Sequence, residues 1–350
     1  MQSRVSVVIP CHGQAHFLAD AIESVLRQTV PVLELVVVND GSPDTALMER
    51  VLAPFMDRII YIRQENAGVA IARNAGLDRC QAEYLIFLDS DDRLLPNAVA
   101  DGAAALTARP ERGLVWGLRH LVDAAGRRSR LDVGWIGAGE QYVDLLRTNI
   151  VGPPVGVMWR RSAVIDIGGF SLVAAPAEDY DAYLRIAQRH EIHRHGETVA
   201  EYRLHGTNMS CNDARMFAGV EETLARQVEW VGKDADLRSA LEAGRRDAQH
   251  QYDWLPRLNA VRELYHERQW RRAGAAAVAL FGRYPGLLLA EVNQNALRFV
   301  WRRIFGRRHS GASQLPINSG IGIPSTSGMS LPSNAASVGA RSRVDTTRPS

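Results

Sequence analysis

Short apolar segments rich in branched residues recur through the N-terminal part of the chain, and polar or turn residues follow each of them. Their length and composition are typical of strands buried on both faces of a sheet. The four segments are 5–9, 35–38, 59–62 and 84–88. Apolar residues recur at helical spacing between them, at 16–28, 46–55 and 69–79. This alternation predicts an α/β fold built on a parallel, doubly wound sheet.

The pattern after residue 92 predicts further elements, which are helices near 97–108 and 180–190 and strands near 114–119, 155–160 and 199–204. Beyond residue 215 the sequence becomes helical and rich in arginine, and from residue 309 small and polar residues dominate. We therefore predict an α/β domain over 1–215, a helical extension over 216–308 and a disordered, low-complexity tail over 309–350.

Composition excludes several classes of function. The formal net charge of the 350 residues is +2, which is too small to indicate a nucleic-acid-binding surface. The three cysteines lack zinc-binding spacing and are odd in number, so neither a structural zinc site nor a disulfide framework is indicated. No signal peptide or apolar run long enough to span a membrane is visible, and we expect a cytoplasmic location.

Polar segments follow the four predicted strands, at 10–13, 39–42, 65–68 and 89–92. In an open α/β sheet, ligands bind outside the carboxyl ends of the strands. We therefore expect these four segments to line one crevice.

Asp89, Asp91 and Asp92 place three carboxylates directly after a buried strand. Clustered carboxylates raise one another's pKa unless a positive charge lies among them. Mg²⁺ or Mn²⁺ prefers carboxylate oxygens and is commonly completed by substrate phosphates, so a metal and diphosphate site is one interpretation. A solvated turn or helix cap is the other, and the six residues FLDSDD favour neither.

Other polar residues at the ends of elements have the same two interpretations. Asp40 suits a turn, and it also suits hydrogen bonding to a base or ribose. Glu178 and Asp179 open a helix, where they would act as caps; the helix dipole there would lower a carboxylate's pKa and keep a general base ionised. Arg203 and His205 share one face of a strand, from which Arg suits phosphate and neutral His suits a metal.

In their order along the chain, these segments resemble the family 2 glycosyltransferases. The resemblance runs from about residue 5 to residue 210, and any single motif is weak whereas the ordered set is specific. The segments are VSVVIPCHGQAHFLADAIESVLRQT, ELVVVNDGSPD, ENAGVAIARNAGL, YLIFLDSDD, GGF followed by EDYDAYLRIA, and YRLHGTNMS.

The resemblance implies a GT-A fold, which is a Rossmann-like domain with a mixed central sheet and helices on both faces, here followed by the helical extension. It implies transfer of a sugar, with inversion, from a nucleotide-sugar donor, most simply a UDP-sugar. The acceptor would be a carbohydrate or a lipid-linked hydroxyl. The cofactor would be Mn²⁺ or Mg²⁺.

The resemblance also implies roles for individual residues. Asp89 and Asp91 would form the DxD element, with Asp91 as the first choice for the metal ligand and Asp92 as a possible helper. Asp179 would be the general base, and His205 would complete the metal or diphosphate contacts.

Further residues of the matching motifs are candidates for the donor site. Asp40 would contact the base or ribose of the nucleotide. Pro10, Arg73, Asp89 and Ser90 complete the predicted nucleotide-sugar site, and Glu178 and Arg203 are secondary candidates for the site as a whole.

The chain departs from the common family pattern at two places. His12 and Gly13 stand where members often carry Tyr and Asn, which puts the nucleotide contacts of this loop in doubt. Tyr180 stands where Trp often follows the Glu-Asp element, which affects the acceptor pocket. A sugar-phosphate nucleotidyltransferase and a degenerate, non-enzymatic binding module remain as alternative functions.

The C-terminal segment RYPGLLLAEVNQNALRFVWRRIFGRR, at 283–308, interleaves Leu, Phe and Trp with arginines. This pattern suits peripheral contact with anionic lipid. Packing on the catalytic domain or on a second copy of the chain would produce the same spacing, so a homo-oligomer is also compatible with it.

Overall fold

The computed structural model describes residues 4–132, 141–209 and 212–284. Three features considered above lie outside these ranges: the third cysteine, Cys211, the segment 285–308 with its Arg/Leu/Trp pattern, and the tail predicted over 309–350. No structural statement is made about them.

The first half of the fold is the predicted alternation of strands and helices. The strands are β1 (Val5–Cys11), β2 (Glu34–Asp40), β3 (Ile60–Gln64) and β4 (Tyr84–Phe87), and they pair in parallel in the order β3-β2-β1-β4. The connecting helices are α1 (Ala15–Leu26), α2 (Thr45–Leu52) and α3 (Val69–Arg79). Both the strand segments and the helical segments predicted here are confirmed.

The second half makes the sheet mixed. Its elements are β5 (Arg93–Leu94), α4 (Ala98–Thr107), β6 (Arg112–Val122), β7 (Arg128–Asp132), α5 (Gln141–Arg147), β8 (Val157–Arg160), α6 (Arg161–Asp166), α7 (Glu178–Ala187) and β9 (Glu191–Arg203). The strand order continues from β4 through β8, β6 and β9 to β5, with β7 paired to β6. Because β8 runs antiparallel to both β4 and β6, the sheet is mixed, and the alternation pattern alone described only its parallel half.

Helices cover both faces of the sheet, and alternate residues of each strand pack on opposite sides. In β1, Val7 and Ile9 belong to one hydrophobic core, whereas Val8 belongs to the other. The apolar side of α1, with Leu18 and Ile22, fills the first core. Two-sided burial explains why the strand segments read as continuous apolar runs.

The helical extension begins with α8 (Asp213–Val231) and α9 (Ala235–Gln249). Their residues Val220, Leu224 and Leu241 belong to the same hydrophobic core as one face of the sheet. The domain boundary at residue 215 therefore stays a prediction from the sequence, while the first two helices of the extension pack as part of the α/β domain.

The extension continues through a π-helical turn (His250–Trp254) into α10 (Leu255–His266) and α11 (Trp270–Arg283). Trp254 is fully buried and forms a separate small core with Leu280 and Tyr284. Among the helices that the structure describes, none is both long and apolar enough to cross a membrane.

The contact between α9 and α5 provides a test of how tightly the extension is docked. A Cβ atom at Gly244 would overlap the carbonyl oxygen of Leu146, whereas a Cβ at Gly274 of α11 would meet open space. We expect Gly244→Ala to lower the free energy of unfolding by about 2 kcal/mol through overpacking. Gly274→Ala, the matched control, should be neutral or stabilise by up to about 1 kcal/mol through helix propensity.

Urea denaturation of both variants measures the difference. An unfolding midpoint for Gly244→Ala equal to that of the wild type would show that α9 is not docked on α5 in solution.

Candidate active site

The pairing of two strands brings the turn after β4 to the end of β9. β5 lies in that turn and pairs antiparallel with β9, with Arg93 opposite Glu201 and Leu94 opposite Ala200. The three aspartates precede β5, and His205 follows β9. The sheet thus places two segments that are distant in sequence at the same edge.

Asp91 and His205 are in direct contact at this edge. The Oδ2 atom of Asp91 lies 2.8 Å from Nε2 of His205, and the other ring nitrogen, Nδ1, lies 2.9 Å from the Thr207 hydroxyl. The imidazole stacks on Phe17, with ring centroids 5.1 Å apart. Burial and then the charge of Asp89 raise the pKa of Asp91, while the hydrogen bond from His205 opposes this rise. The predicted pair of metal-ligating residues is therefore brought together.

Asp92 and Arg203 support the turn from behind. The Oδ1 atom of Asp92 accepts a hydrogen bond of 2.8 Å from the backbone N–H of Arg203, and Oδ2 is buried without a partner. The guanidinium of Arg203 donates to the Asp91 carbonyl, pairs with Asp20 and lies over the Phe17 ring. Burial raises the pKa of Asp92 well above its usual value. Both side chains hold the backbone of the turn in place.

Arg73 joins the aspartate turn to the N-terminus of α7. Its Nη2 donates to Oδ1 of Asp89 at 2.8 Å, and its Nη1 donates to Oε1 of Glu178 at 2.6 Å. Arg73 is 2% exposed, and its guanidinium lies over the ring of Phe170. This arginine, predicted as a donor-binding residue, is a buried bridge between two carboxylates.

Asp179 lies next to this bridge in the first turn of α7. Its Oδ1 accepts a 2.7 Å hydrogen bond from the backbone N–H of Tyr180. Burial, reinforced by the charge of Glu178, raises the pKa of Asp179 to about 7, and Arg73 opposes part of this rise. The expectation that the helix dipole would lower this pKa is wrong, because burial and the neighbouring carboxylate outweigh the dipole.

Asp40 is fully engaged within the protein. Its Oδ1 accepts hydrogen bonds from the Gln64 side chain and the Ala67 backbone, and its Oδ2 accepts one from Gly68, all at 2.8 to 2.9 Å. Asp40 thereby fixes the loop after β3 against the end of β2. Asp40 therefore has an internal structural role, and its contact with a base or ribose stays a prediction.

The remaining donor-site candidates lie at or near the carboxyl ends of β1 and β4. Pro10 is buried within β1 opposite Val38, and Ser90 is 4% exposed beside Gln14. His12 is exposed, and its Nδ1 lies 2.9 Å from the Asp40 carbonyl oxygen. Of these three residues, only His12 is exposed to solvent.

Sequence reasoning missed two aromatic residues of the site. Phe17 supports both His205 and Arg203, but in the sequence it is one apolar residue of an amphipathic helix. Tyr252 lies in the π-helical turn, and burial followed by the charge of Asp179 raises its pKa to about 12. Only the π-helical turn brings this part of the extension near the predicted base, and no motif in the sequence indicates it.

Asp91 and His205 offer one carboxylate and one imidazole as ligands for a divalent cation. Within 4–132, 141–209 and 212–284, no group of three or more His, Cys, Asp or Glu side chains is arranged to hold a metal. One carboxylate and one imidazole in contact fit an Mn²⁺ or Mg²⁺ whose other ligands are substrate phosphates and water. The residues present therefore suit an ion that binds together with a diphosphate.

Comparisons with known proteins agree with this fold and with the family that the motifs indicate. The model of a protein family described as Glycosyl transferase family 2 matches residues 6–168. An uncharacterised glycosyltransferase of Rickettsia conorii is 29% identical over 209 residues, which are 57% of this chain and 34% of that protein. The chain thus spans about a third of the length of this relative.

Two solved structures share the fold. S. aureus TarS in complex with UDP-GlcNAc gives a TM-score of 0.58 at 17% identity, over 77% of this chain and 79% of that one. A mannosyltransferase from Pyrobaculum calidifontis, in complex with GDP-Man and Mn²⁺, gives 0.54 at 17% identity, over 88% and 89%. At these identities the likeness establishes the fold alone.

The fold is the GT-A fold, as predicted. The family indicated by the ordered motifs is the one whose model matches residues 6–168.

The buried bridge of Arg73 predicts a large effect on stability. Arg73→Met leaves the buried Glu178 carboxylate unpaired, and we expect the free energy of unfolding to fall by about 3 to 5 kcal/mol. The double variant Arg73→Met/Glu178→Gln should lose less, because it removes the stranded charge. Arg63→Met is the control: Arg63 pairs with Glu49 at 3.4 Å on the surface, so the loss should stay below about 1 kcal/mol.

Urea denaturation at neutral pH measures the three variants. If the double variant is as unstable as Arg73→Met alone, the loss in free energy of unfolding does not come from the unpaired Glu178 carboxylate.

Proposed function

We propose that the chain transfers a sugar from a nucleoside-diphosphate sugar to a hydroxyl acceptor, with inversion and with a divalent cation. The observation that carries this proposal is that Arg73 joins the turn that carries Asp91 to the helix turn that carries Asp179, through Asp89 and Glu178. One side suits a metal and a diphosphate. The other side offers a base that is half in its basic form near neutral pH.

On the donor side, Asp91 and His205 would hold Mn²⁺ or Mg²⁺. When bound, the ion neutralises the negative charge that grows on the diphosphate as the glycosidic bond breaks. Phe17 and Thr207 fix the plane of the His205 ring, and Arg203 fixes the Asp91 backbone. These contacts orient both ligands before a donor arrives.

On the acceptor side, Asp179 would accept the proton of the attacking hydroxyl. A base that takes this proton on the face of the sugar opposite the diphosphate gives a single displacement and inversion. The Tyr180 N–H donates to one oxygen of Asp179 and leaves the other available. Glu178, held by Arg73, keeps its charge near Asp179 and sustains its raised pKa.

The finer assignments are part of this proposal. A UDP-sugar is the proposed donor, since the structurally similar TarS binds UDP-GlcNAc, although the similar mannosyltransferase binds GDP-Man. The proposed acceptor is a carbohydrate or a lipid-linked hydroxyl. A cytoplasmic location, with peripheral contact at the inner face of the membrane, and self-association as a homo-oligomer complete the proposal.

Donor hydrolysis across a panel of UDP- and GDP-sugars, with Mn²⁺, Mg²⁺ or chelator, tests the function. We expect one donor to be hydrolysed with metal and none with chelator. Asp91→Ala and Asp179→Asn should each lower turnover roughly 100-fold or more. Asp91→Ala should also weaken metal-dependent donor binding, whereas Asp179→Asn should leave donor binding unchanged.

Asp57→Ala is the matched control, because the Asp57 side chain is 81% exposed on the surface. Both active-site variants should unfold at the wild-type temperature. Failure of every donor to bind would favour a non-enzymatic module, and wild-type turnover in either variant would remove that residue from its proposed role.

The raised pKa of Asp179 predicts the pH dependence. The base works only when deprotonated, so kcat/KM should rise with pH through a midpoint near 7 and then level off. Glu178→Gln removes the neighbouring charge and should move the midpoint to lower pH. Initial rates across a pH series measure both effects, and a wild-type rate that is already constant below pH 6 would contradict the assignment.

A further inference from the structure

The α10–α11 hairpin stands apart from the α/β domain. No residue of α10 is buried, and this helix packs chiefly against α11 and the π-helical turn. The inner side of the hairpin is held by Trp254, Leu280 and Tyr284, while Asp253 pairs with Arg283 and accepts a hydrogen bond from Tyr284. The hairpin is therefore anchored at its base, and its far end faces solvent.

Two aromatic rings are exposed at that far end. Tyr265 is 56% exposed and Trp270 is 55% exposed, and their rings meet edge to face with centroids 4.7 Å apart. Further along α11, Val278 is 74% exposed. Aromatic side chains with an apolar body and a polar atom suit the boundary between lipid and water.

Three arginines surround these rings. Among the described residues, the guanidinium groups of Arg268 and Arg271 make no ion pair, and that of Arg272 donates to the neutral Gln269 side chain at 3.0 Å. From Tyr265 to Tyr284 the chain has four arginines and one acidic residue, Glu267, which accepts a hydrogen bond from Gln269. We call Tyr265, Arg268, Trp270, Arg271 and Arg272 the hairpin tip.

We propose that the hairpin tip docks on an anionic lipid surface, with the two rings at the headgroup level and the arginines on lipid phosphates. An excess of arginines beside exposed aromatic rings is complementary to such a surface. A two-fold contact between copies through the same patch would instead set arginines against arginines, which repel. The inference is independent of the sugar-transfer reaction.

Cosedimentation of the full chain with vesicles tests the proposal. The chain should pellet with vesicles of phosphatidylglycerol and phosphatidylcholine, should remain in solution with pure phosphatidylcholine, and should be released by salt. The triple variant Arg268→Ala/Arg271→Ala/Arg272→Ala should bind on the order of 100-fold more weakly. Trp270→Ala should also weaken binding. The tryptophan emission of the full chain should shift to shorter wavelength on docking, through Trp270.

Matched controls separate the tip from general surface charge. Arg27→Ala/Arg58→Ala/Arg109→Ala removes three arginines whose side chains are 73%, 50% and 62% exposed, and Trp230→Ala removes a tryptophan that is 51% exposed. Both controls should bind like the wild type. Three results would each overturn the proposal. The triple variant could bind anionic vesicles as tightly as the wild type, or the wild type could fail to bind them. The third is concentration-dependent self-association that Trp270→Ala abolishes, without any lipid binding.

Discussion

A single buried cation holds the two halves of the site together. Arg73 extends from α3 between Asp89, in the turn after β4, and Glu178, at the start of α7. Water has little access to Arg73 and Glu178, whereas the Asp89 side chain is 30% exposed. The buried Glu178 carboxylate would not be tolerated there as an anion without the guanidinium. Because Arg73 bonds both, the segment proposed to bind the donor and the helix that carries the proposed base are fixed relative to each other.

The sequence predicted the parts of the fold that depend on local pattern. Strands buried on both faces appear as apolar runs, and the ordered motifs placed Asp91 and His205 in one site before any geometry was known. The pKa of Asp179 could not be predicted in the same way. The direction of its shift depends on how deeply the folded chain buries the start of α7, and the helix-opening motif does not encode that burial. The roles of Asp40 and Arg203 as internal supports likewise depend on tertiary contacts.

The packing of the helical extension could not be predicted from the sequence either. An amphipathic pattern indicates that a helix has an apolar face but does not name the surface that covers it. In the structure, α8 and α9 cover the sheet side that contains α5 and α7, with Gly244 allowing close approach to α5, while α10 and α11 pack mainly on each other. One continuous helical sequence thus contains both a part of the catalytic core and a projecting hairpin.

The contact between Asp91 and His205 joins residues separated by 114 positions. Closing so long a loop costs conformational entropy that is recovered only when the intervening strands have formed. During synthesis, the aspartate turn emerges from the ribosome well before β9 and therefore exists for a time without its histidine. The Asp91–His205 contact can therefore form only after β9, the last strand of the sheet in sequence, has paired with β5.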